Sequence, residues 1–357
     1  MSKELPHALR GRGAISNPDN RFDSNQRELI DDGWGNLDEP LQPLRTTLTI
    51  DTAKTVISYN QSPDIPFDRS INPYRGCEHG CVYCFARPTH AYLGLSPGLD
   101  FETKLFYKPD AATLLREELG KKNYQCQPIA LGINTDAYQP VERQLGLTRQ
   151  LLEVLQETRH PVTLVTKSAL IERDIDILAE MAQHNLVHVA LSITSLNRDL
   201  SRRLEPRAAA PQRRIETVQR LSAAGIPVSV LIAPLIPVLN DSELESIMET
   251  ARNAGADGCG YVLLRLPHEL KDLFQQWLHE HEPLKAEHVM NRIRDCRGGK
   301  EYQAAFGSRM SGSGIFADLL RQRYQLAMKR LNFKGVSELE IEHFIKPQKE
   351  QPQLELF

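Results

Sequence analysis

Three cysteines stand close together in the stretch Cys77-Glu-His-Gly-Cys81-Val-Tyr-Cys84, which holds half of the six cysteines of the chain. Thiolates with this spacing can reach one inorganic core from a single loop, and Gly76 and Gly80 allow the backbone to wrap closely around it. A [4Fe–4S] cube has four irons, so three cysteine ligands leave one iron open to a substrate or cofactor. We therefore predict Cys77, Cys81 and Cys84 as the ligands of such a cluster.

A structural zinc site is the alternative for the same cysteines. Zinc takes four ligands, usually as two separated pairs, and His79 or His90 could complete a tetrahedron, although neither stands at a finger or ribbon spacing. A two-cluster ferredoxin would need two-residue gaps and a fourth cysteine followed by proline, and the sequence has neither. The spacing therefore favours the cluster over zinc.

The composition is that of an ordinary globular chain. Its 357 residues are 41% hydrophobic and 25% charged, with a formal net charge of −3. No apolar run approaches the length of a membrane span, and the first residues lack the apolar core of a signal peptide. The remaining cysteines, Cys126, Cys259 and Cys296, are scattered, which suits a reducing compartment. We expect a cytoplasmic protein without membrane contact.

Positive charge is concentrated in two stretches. Residues 285–334 contain eleven Lys or Arg against four Asp or Glu, and residues 201–220 contain six Arg against two Glu. Such surfaces can follow a phosphate backbone, and they can equally be solvated helix faces balanced by acids elsewhere. On the first of these interpretations, nucleic acid is a predicted partner.

Strand and helix patterns alternate from residue 72 onward and must position these groups. The predicted strands are Ile129–Ile133, Val162–Val165, Val187–Ile193, Val228–Ile232 and Tyr261–Leu264, and the predicted helices are Asp110–Leu119, Leu147–Glu157, Ile171–Gln183, Pro211–Ala223 and Ser242–Asn253. With a first strand leading into the cysteines, six β-α units predict a parallel sheet. Polar residues at the carboxyl ends of its strands are then candidate site residues.

The chain divides into four predicted segments. Residues 1–60 are polar and aperiodic and are predicted as an extended arm, and residues 61–282 hold the alternating α/β unit. Residues 283–335 are predicted as a basic helical extension, and residues 336–357 as a flexible tail that carries a linear motif.

Longer motifs surround the cysteines, namely Asn72-Pro-Tyr-Arg-Gly-Cys77, Cys84-Phe-Ala-Arg-Pro-Thr-His90, Thr135-Asp-Ala-Tyr-Gln-Pro-Val-Glu142 and Thr166-Lys-Ser168. Together with the Cys-x3-Cys-x-aromatic-Cys loop they resemble the radical S-adenosylmethionine (SAM) superfamily, in its spore-photolyase-like branch, over roughly residues 55 to 330. The resemblance implies an α/β fold with a partial (β/α)6 TIM-like barrel, open on one side. It also implies a [4Fe–4S] cluster, SAM as cofactor and a flavodoxin- or ferredoxin-type electron donor. A 5′-deoxyadenosyl radical would act on DNA, in a lyase-type repair reaction.

The same resemblance gives roles to polar residues at the strand ends. In the superfamily, the segment after the second strand holds the amino group of SAM, although here that segment could instead be a turn with a helix cap. A lysine after the third strand would meet the cofactor carboxylate, and hydroxyls after the fourth would contact the ribose or the carboxylate. The predicted cofactor-binding residues are Asn134, Thr135, Asp136, Lys167, Ser192 and Thr194, and the predicted catalytic residue is Tyr138.

One position departs from the branch. Spore photoproduct lyase carries a hydrogen-donating cysteine beside the second strand end, where this chain has Asn134, and Cys126 precedes that strand. Reversal of a thymine dimer by that route is therefore not expected. Radical modification of RNA or protein, or a non-catalytic protein that carries a cluster and binds nucleic acid, are the alternatives.

A second motif lies in Gln353-Leu354-Glu355-Leu356-Phe357. It resembles the Gln-Leu-x-Leu-Phe peptide by which bacterial replication and repair proteins bind the sliding clamp. Gln353 and the anchors Leu354, Leu356 and Phe357 are the predicted contacts, since a flexible segment can deliver apolar side chains into a pocket. The alternative is an apolar segment that packs back on the α/β unit.

Overall fold

The computed structural model describes residues 11–23 and 44–347. Its strands are β1 (Thr47–Ile50), β2 (Ile57–Tyr59), β3 (Arg69–Ile71), β4 (Tyr74–Arg75), β5 (Lys104–Tyr107), β6 (Ile129–Leu131), β7 (Val162–Thr166), β8 (Val187–Ser192), β9 (Val228–Leu235) and β10 (Gly258–Leu263). Its α-helices are α1 (Asp100–Thr103), α2 (Ala111–Leu119), α3 (Glu142–Leu145), α4 (Leu147–Glu157), α5 (Ile175–Gln183), α6 (Arg198–Leu204), α7 (Pro211–Ala223), α8 (Leu244–Asn253), α9 (Leu270–His281), α10 (Ala286–Asp295) and α11 (Ile315–Arg330).

The larger sheet has the strand order β10-β9-β8-β7-β6-β3-β2. Within the described residues, six of these strands run parallel and β2 pairs antiparallel to β3 at the edge. Helices connect each parallel strand to the next, as β-α-β crossovers require. The edge strands β10 and β2 do not pair with each other, so the sheet stays open. This arrangement confirms the predicted α/β fold with an open, six-unit parallel sheet.

The main core fills the space between this sheet and its helices. Strand β8 is buried along its whole length, because a parallel sheet is covered on both faces. Helix α4 buries Leu151, Leu152 and Leu155, which recur at helical spacing on one face. The bounds of α4 and α7 are those predicted from the sequence. The predicted helix Ile171–Gln183 instead begins as a 3-10 turn at Ala169–Asp174 and continues as α5.

A smaller sheet of order β1-β5-β4 lies beside the first one. Strand β1 pairs parallel to β5, and β4 pairs antiparallel to β5 and leads into the cysteines. These strands have no clear signal in the sequence, because they are short and β1 is exposed throughout. Strands β1 and β2 both fall within the predicted arm, which therefore contains regular structure.

Residues beyond 282 form further helices on the same body. Helix α11 buries Ala317, Leu320 and Ala327 in the main core. A second apolar core joins α9 and α10 to Cys81, Val82 and other residues near the cysteines. Among the described helices, none is long and apolar enough to cross a membrane.

Candidate functional site

Residues 77–84, the cysteine loop, directly follow β4. All three cysteines are free; Cys77 and Cys81 are buried and Cys84 is partly buried. Gly76 has a φ of +79°, and a Cβ added there would lie 2.7 Å from a methyl carbon of Leu105. The loop is thus wound so tightly against β5 that a side chain at residue 76 would clash.

The back of the cysteine loop is fixed by a buried ion pair. The Arg87 guanidinium, fully buried, donates to the carbonyl oxygens of Cys81 (2.8 Å) and Gly80 (3.1 Å) and to the Glu102 carboxylate (2.5 Å). Glu102 in turn accepts hydrogen bonds from the backbone N–H groups of Gly13 (3.0 Å) and Ala14 (2.8 Å). One buried carboxylate therefore ties the cysteine loop to a distant part of the chain.

Residues 11–23, the N-terminal strap, lie over this back face. A Cβ added to Gly13 would lie 1.7 Å from the carbonyl oxygen of Gly80. Ala14 and Ile15 are buried, and the Ser16 hydroxyl donates to Gln276 at 2.7 Å. The strap thus shields one side of the cysteine loop from solvent.

The front of the loop is held by residues that follow β6. The Gln139 side chain accepts from the Glu78 N–H (2.8 Å) and donates to the Gly76 carbonyl (3.2 Å). His79 Nδ1 lies 3.2 Å from Asp136 Oδ2. The ends of two strands, β4 and β6, are joined at the loop by these contacts.

Asp136 is the centre of the contacts at these strand ends. It accepts hydrogen bonds from the Thr166 hydroxyl (2.7 Å) and from the N–H groups of Lys167 (2.8 Å) and Tyr138 (2.9 Å). Burial opposes ionisation of Asp136, but its partners, His79 foremost, hold the pKa of the carboxyl below its usual value. Asp136 is therefore an anion close to the cysteine loop.

A second buried network lies under Tyr83. The Tyr83 hydroxyl donates to the Glu205 carboxylate, which also pairs with Arg214 and accepts from the Thr194 hydroxyl. Burial works against ionisation of Glu205, but Arg214 and then Lys167 lower its pKa to about 2. The Lys167 ammonium lies 5.8 Å from the centre of the Tyr83 ring. Thr194 and Lys167 are thus brought together beside the loop.

The cysteine side chains fit an iron–sulfur cluster by the chemistry of their donors. Burial, more than any neighbouring charge, raises the pKa of Cys81 to about 12 and that of Cys77 well above its usual value. Thiolates at these positions therefore need nearby positive charge, which bound iron would supply. In the part of the chain that the structure describes, no group of three or more His, Cys, Asp or Glu could hold a single metal ion.

The histidines of the zinc alternative have other partners. His79 pairs with Asp136, and His90 Nε2 lies 3.0 Å from the Lys104 carbonyl oxygen. Burial is the first cause that lowers the pKa of His90, to about 4. Both rings therefore have structural contacts of their own.

The other predicted site residues differ in their burial and contacts. The Asn134 N–H donates to Asn72 and its side chain is exposed, whereas the Thr135 hydroxyl donates to the Tyr74 carbonyl at 2.8 Å. Ser192 is buried at the end of β8. The Tyr138 ring is buried in the main core. Burial, followed by the Asp174 carboxylate, raises the pKa of Tyr138 well above its usual value.

Several residues that position the loop were not predicted from the sequence. Arg87 and Gln139 stand inside motifs that were recognised, but nothing in those motifs showed which carbonyls their side chains bind. Glu102 lies 15 residues after Arg87 and belongs to no motif. Glu205 also belongs to no recognised motif, and its contacts with Tyr83, Thr194 and Arg214 join residues from separate parts of the sequence.

A cavity of about 580 Å³, the side pocket, lies next to the cysteine loop. One wall is the segment 207–209, whose Arg207 N–H donates to the His79 carbonyl (3.2 Å) and whose Ala209 N–H donates to the Lys167 carbonyl (3.3 Å). The pocket is lined by His79, Tyr138, Pro140, Arg143, Ser168, Ala169, Leu170, Arg173, Arg207, Ala208, Ala209 and Arg213.

Residues 71–251, just over half of the chain, match the family model of the Radical SAM superfamily. The chain belongs to the radical SAM superfamily. That match includes the cysteine loop and the predicted strand-end residues, and it confirms the prediction made from the motifs.

Uncharacterized proteins from two organisms are similar in sequence to this chain. An uncharacterized protein of Mycobacterium tuberculosis is 37% identical over 221 residues, which are 61% of this chain and 65% of that protein. One of Methanocaldococcus jannaschii is 29% identical over 173 residues, which are 48% and 62%. The matches thus span less than two thirds of either relative.

The fold is similar to that of spore photoproduct lyase. Its complex with dinucleoside spore photoproduct aligns with a TM-score of 0.58 at 15% identity, over 81% of this chain and 80% of that one. A mutant form with bound AdoMet and the dinucleoside aligns with a TM-score of 0.57 at 14% identity, over the same shares. This likeness concerns the fold.

Proposed function

We propose that this protein is a radical SAM enzyme that acts on DNA in repair. The observation that carries the chemistry is the cysteine loop, with three free cysteines held beside the strand ends of an open parallel sheet. A [4Fe–4S] cluster on this loop would supply the electron that cleaves SAM to methionine and a 5′-deoxyadenosyl radical. Cys77, Cys81 and Cys84 would hold it.

Residues of the chain would bind and orient SAM beside the loop. Asp136 provides a buried negative charge suited to an amino group, and Lys167 provides a positive charge suited to a carboxylate. Asn134 and Thr135 would add contacts at the same strand end, as Ser192 and Thr194 would at the end of β8. Tyr138, in the predicted catalytic role, would act from the wall of the side pocket.

DNA is the proposed substrate for two reasons. The fold is similar to that of spore photoproduct lyase, which has been solved with a dinucleoside photoproduct. Directly after Cys84, the Phe85 ring is 40% exposed, and the Arg265 guanidinium lies 5.3 Å from its centre. An exposed aromatic ring beside an arginine suits the stacking of an unpaired nucleobase.

The test is production of 5′-deoxyadenosine by anaerobically prepared protein given dithionite and SAM. We expect the wild-type protein to form 5′-deoxyadenosine slowly without DNA and faster with damaged DNA. Cys81→Ala should form none, and Cys126→Ala is the control for a cysteine outside the loop. Mass spectrometry of DNA from cells with and without the protein would then identify the product. Turnover stimulated by RNA or a protein in place of DNA would refute DNA as the substrate. Turnover by Cys81→Ala would refute radical SAM chemistry at the cysteine loop.

We also propose an electron donor, a cellular compartment and a protein partner. A flavodoxin- or ferredoxin-type protein would supply the electron, and the six free cysteines support a reducing, cytoplasmic setting. The clamp motif with Gln353, Leu354, Leu356 and Phe357 lies outside the described residues, so its support is the sequence alone.

The clamp interaction has its own experiment. A peptide of residues 348–357 should bind the sliding clamp with micromolar affinity, because a few apolar anchors must offset the entropy that a free peptide loses on binding. Substitution of Leu356 and Phe357 by alanine should abolish this binding. Unchanged binding by that double variant would refute the motif.

A further inference from the structure

The side pocket presents a cationic surface that the chemistry assigned to SAM does not use. Arg143, Arg173, Arg207 and Arg213 line it, together with His79, and no Asp or Glu is among its lining residues. At about 580 Å³ it has the size of a small-molecule site. Four guanidinium groups around one cavity would repel one another unless anions were near.

Three of these arginines have anionic partners outside the lining. Arg173 pairs with Glu142 and Asp174 at 2.8 Å, Arg213 with Glu172 at 2.6 Å, and Arg207 with Glu78 at 3.0 Å. Glu142, Asp174 and Glu78 are buried or nearly so, whereas the guanidinium groups stay partly exposed. The pairs therefore orient the arginines. Every guanidinium nitrogen of Arg173 is engaged in this way, whereas Arg207 keeps donors free to face a ligand.

Arg143 differs from the other three. It is exposed, and its guanidinium makes no hydrogen bond or ion pair with any residue that the structure describes. Arg207 contacts Glu78 through Nη1, which leaves its other nitrogen donors for a ligand. The Ser168 hydroxyl, which accepts from the Leu170 N–H, still has its own proton to donate. These donors suit an anion with several acceptor oxygens.

The pocket is also close to the reactive site. Its wall, segment 207–209, is hydrogen-bonded to His79 of the cysteine loop on one side and to Lys167 on the other. An anion held by Arg207 would therefore lie one chain segment away from the proposed cofactor residues.

We infer that the side pocket binds a phosphate group, with Arg143 and Arg207 as its principal donors. Resting on the proposed function, the phosphate is that of the DNA backbone adjacent to the reacting nucleotide. The same chemistry would admit the phosphates of a free nucleotide, so the experiment must distinguish these two sources.

The experiment measures binding to the full-length, cluster-loaded protein without SAM turnover. Fluorescence anisotropy with a short single-stranded oligonucleotide is recorded over a range of salt concentrations for the wild type and Arg143→Gln. Arg198→Gln on α6 is the matched control, because Arg198 is also exposed but does not line the pocket. Pyrophosphate and ATP serve as competitors.

We expect Arg143→Gln to weaken oligonucleotide binding about tenfold, as loss of a charged hydrogen bond does. The salt dependence should fall by about 0.7 in log–log slope, as for one contact to single-stranded nucleic acid. The control should match the wild type. If ATP binds more tightly than the oligonucleotide, with the same dependence on Arg143, the phosphate comes from a free nucleotide.

If Arg143→Gln binds the oligonucleotide and ATP as tightly as the wild type does, the inference is overturned. Because no turnover is involved, this outcome is separate from failure of the proposed function. Absence of 5′-deoxyadenosine would refute the radical chemistry and leave an arginine-dependent phosphate site intact.

Discussion

Arginines occupy both the back of the cysteine loop and the side pocket, but they are used in opposite ways. Arg87 is fully buried, and backbone carbonyls and one carboxylate take up its donors. Arg143 and Arg207 stay partly exposed with donors to spare. A buried guanidinium without a partner would be strongly unfavourable, so the first arrangement is architectural. The partly exposed arginines of the side pocket need no ligand for stability, and their free donors are suited to binding one.

The largest effect is expected from Glu102→Gln at the back of the loop. Loss of this carboxylate would leave the Arg87 charge buried without a partner, which costs about 3–5 kcal/mol in the free energy of unfolding. Anaerobic denaturant unfolding would measure it. Glu269→Gln, which breaks the more exposed pair with Arg21, is the control and should cost about 0–1 kcal/mol. Equal losses of stability in both variants would show that the buried Arg87–Glu102 pair contributes no more than a more exposed ion pair.

A smaller effect on stability is expected from Gly13→Ala. The added methyl group would overlap the Gly80 carbonyl, so the N-terminal strap must move away, at a cost of about 1–3 kcal/mol. Exposure of the cysteine loop should also speed loss of the cluster absorbance in air. Gly120→Ala is the control, because its nearest neighbouring atom would lie 3.3 Å away. Cluster lifetimes that agree between the two variants would show that the strap does not shield the loop.

Asp136→Asn tests the front of the loop. Removal of the charge should weaken SAM binding about tenfold, because a charged hydrogen bond becomes a neutral one. Iron content should stay unchanged, since Asn keeps an oxygen that can accept a hydrogen bond and Asp136 makes no hydrogen bond with the three cysteines. Equilibrium titration with SAM measures the affinity, with Asp272→Asn on the surface of α9 as control. Wild-type affinity in Asp136→Asn would show that the amino group is held elsewhere.

The smallest effect is expected from Arg207→Lys. Lysine keeps the charge facing Glu78 but loses the planar fork, so stability should change by less than about 0.5 kcal/mol. Oligonucleotide binding should weaken by roughly two- to fivefold, less than in Arg143→Gln. A loss of stability comparable to that of Glu102→Gln would mean that Arg207 is architectural like Arg87.

The sequence predicted the larger sheet well because each parallel strand follows the last one in chain order, with amphipathic helices between. It also identified the cysteine loop, since ligand spacing within one loop is local information. Contacts between residues that are far apart in the sequence could not be predicted. The approach of Gly13 to Gly80 and the pairing of Arg87 with Glu102 depend on the tertiary path, and neither has a local periodicity. Strands β1 and β4 were missed because they are short and β1 is exposed throughout.

The proposed cluster is tested by iron analysis with electron paramagnetic resonance on anaerobically purified protein. We expect about four irons per chain and a reduced-cluster signal that changes when SAM is added, because one iron is left open by three cysteines. Cys81→Ala should lose the iron. Stoichiometric zinc without iron, or a cluster signal that SAM leaves unchanged, would refute a SAM-binding [4Fe–4S] cluster on the cysteine loop.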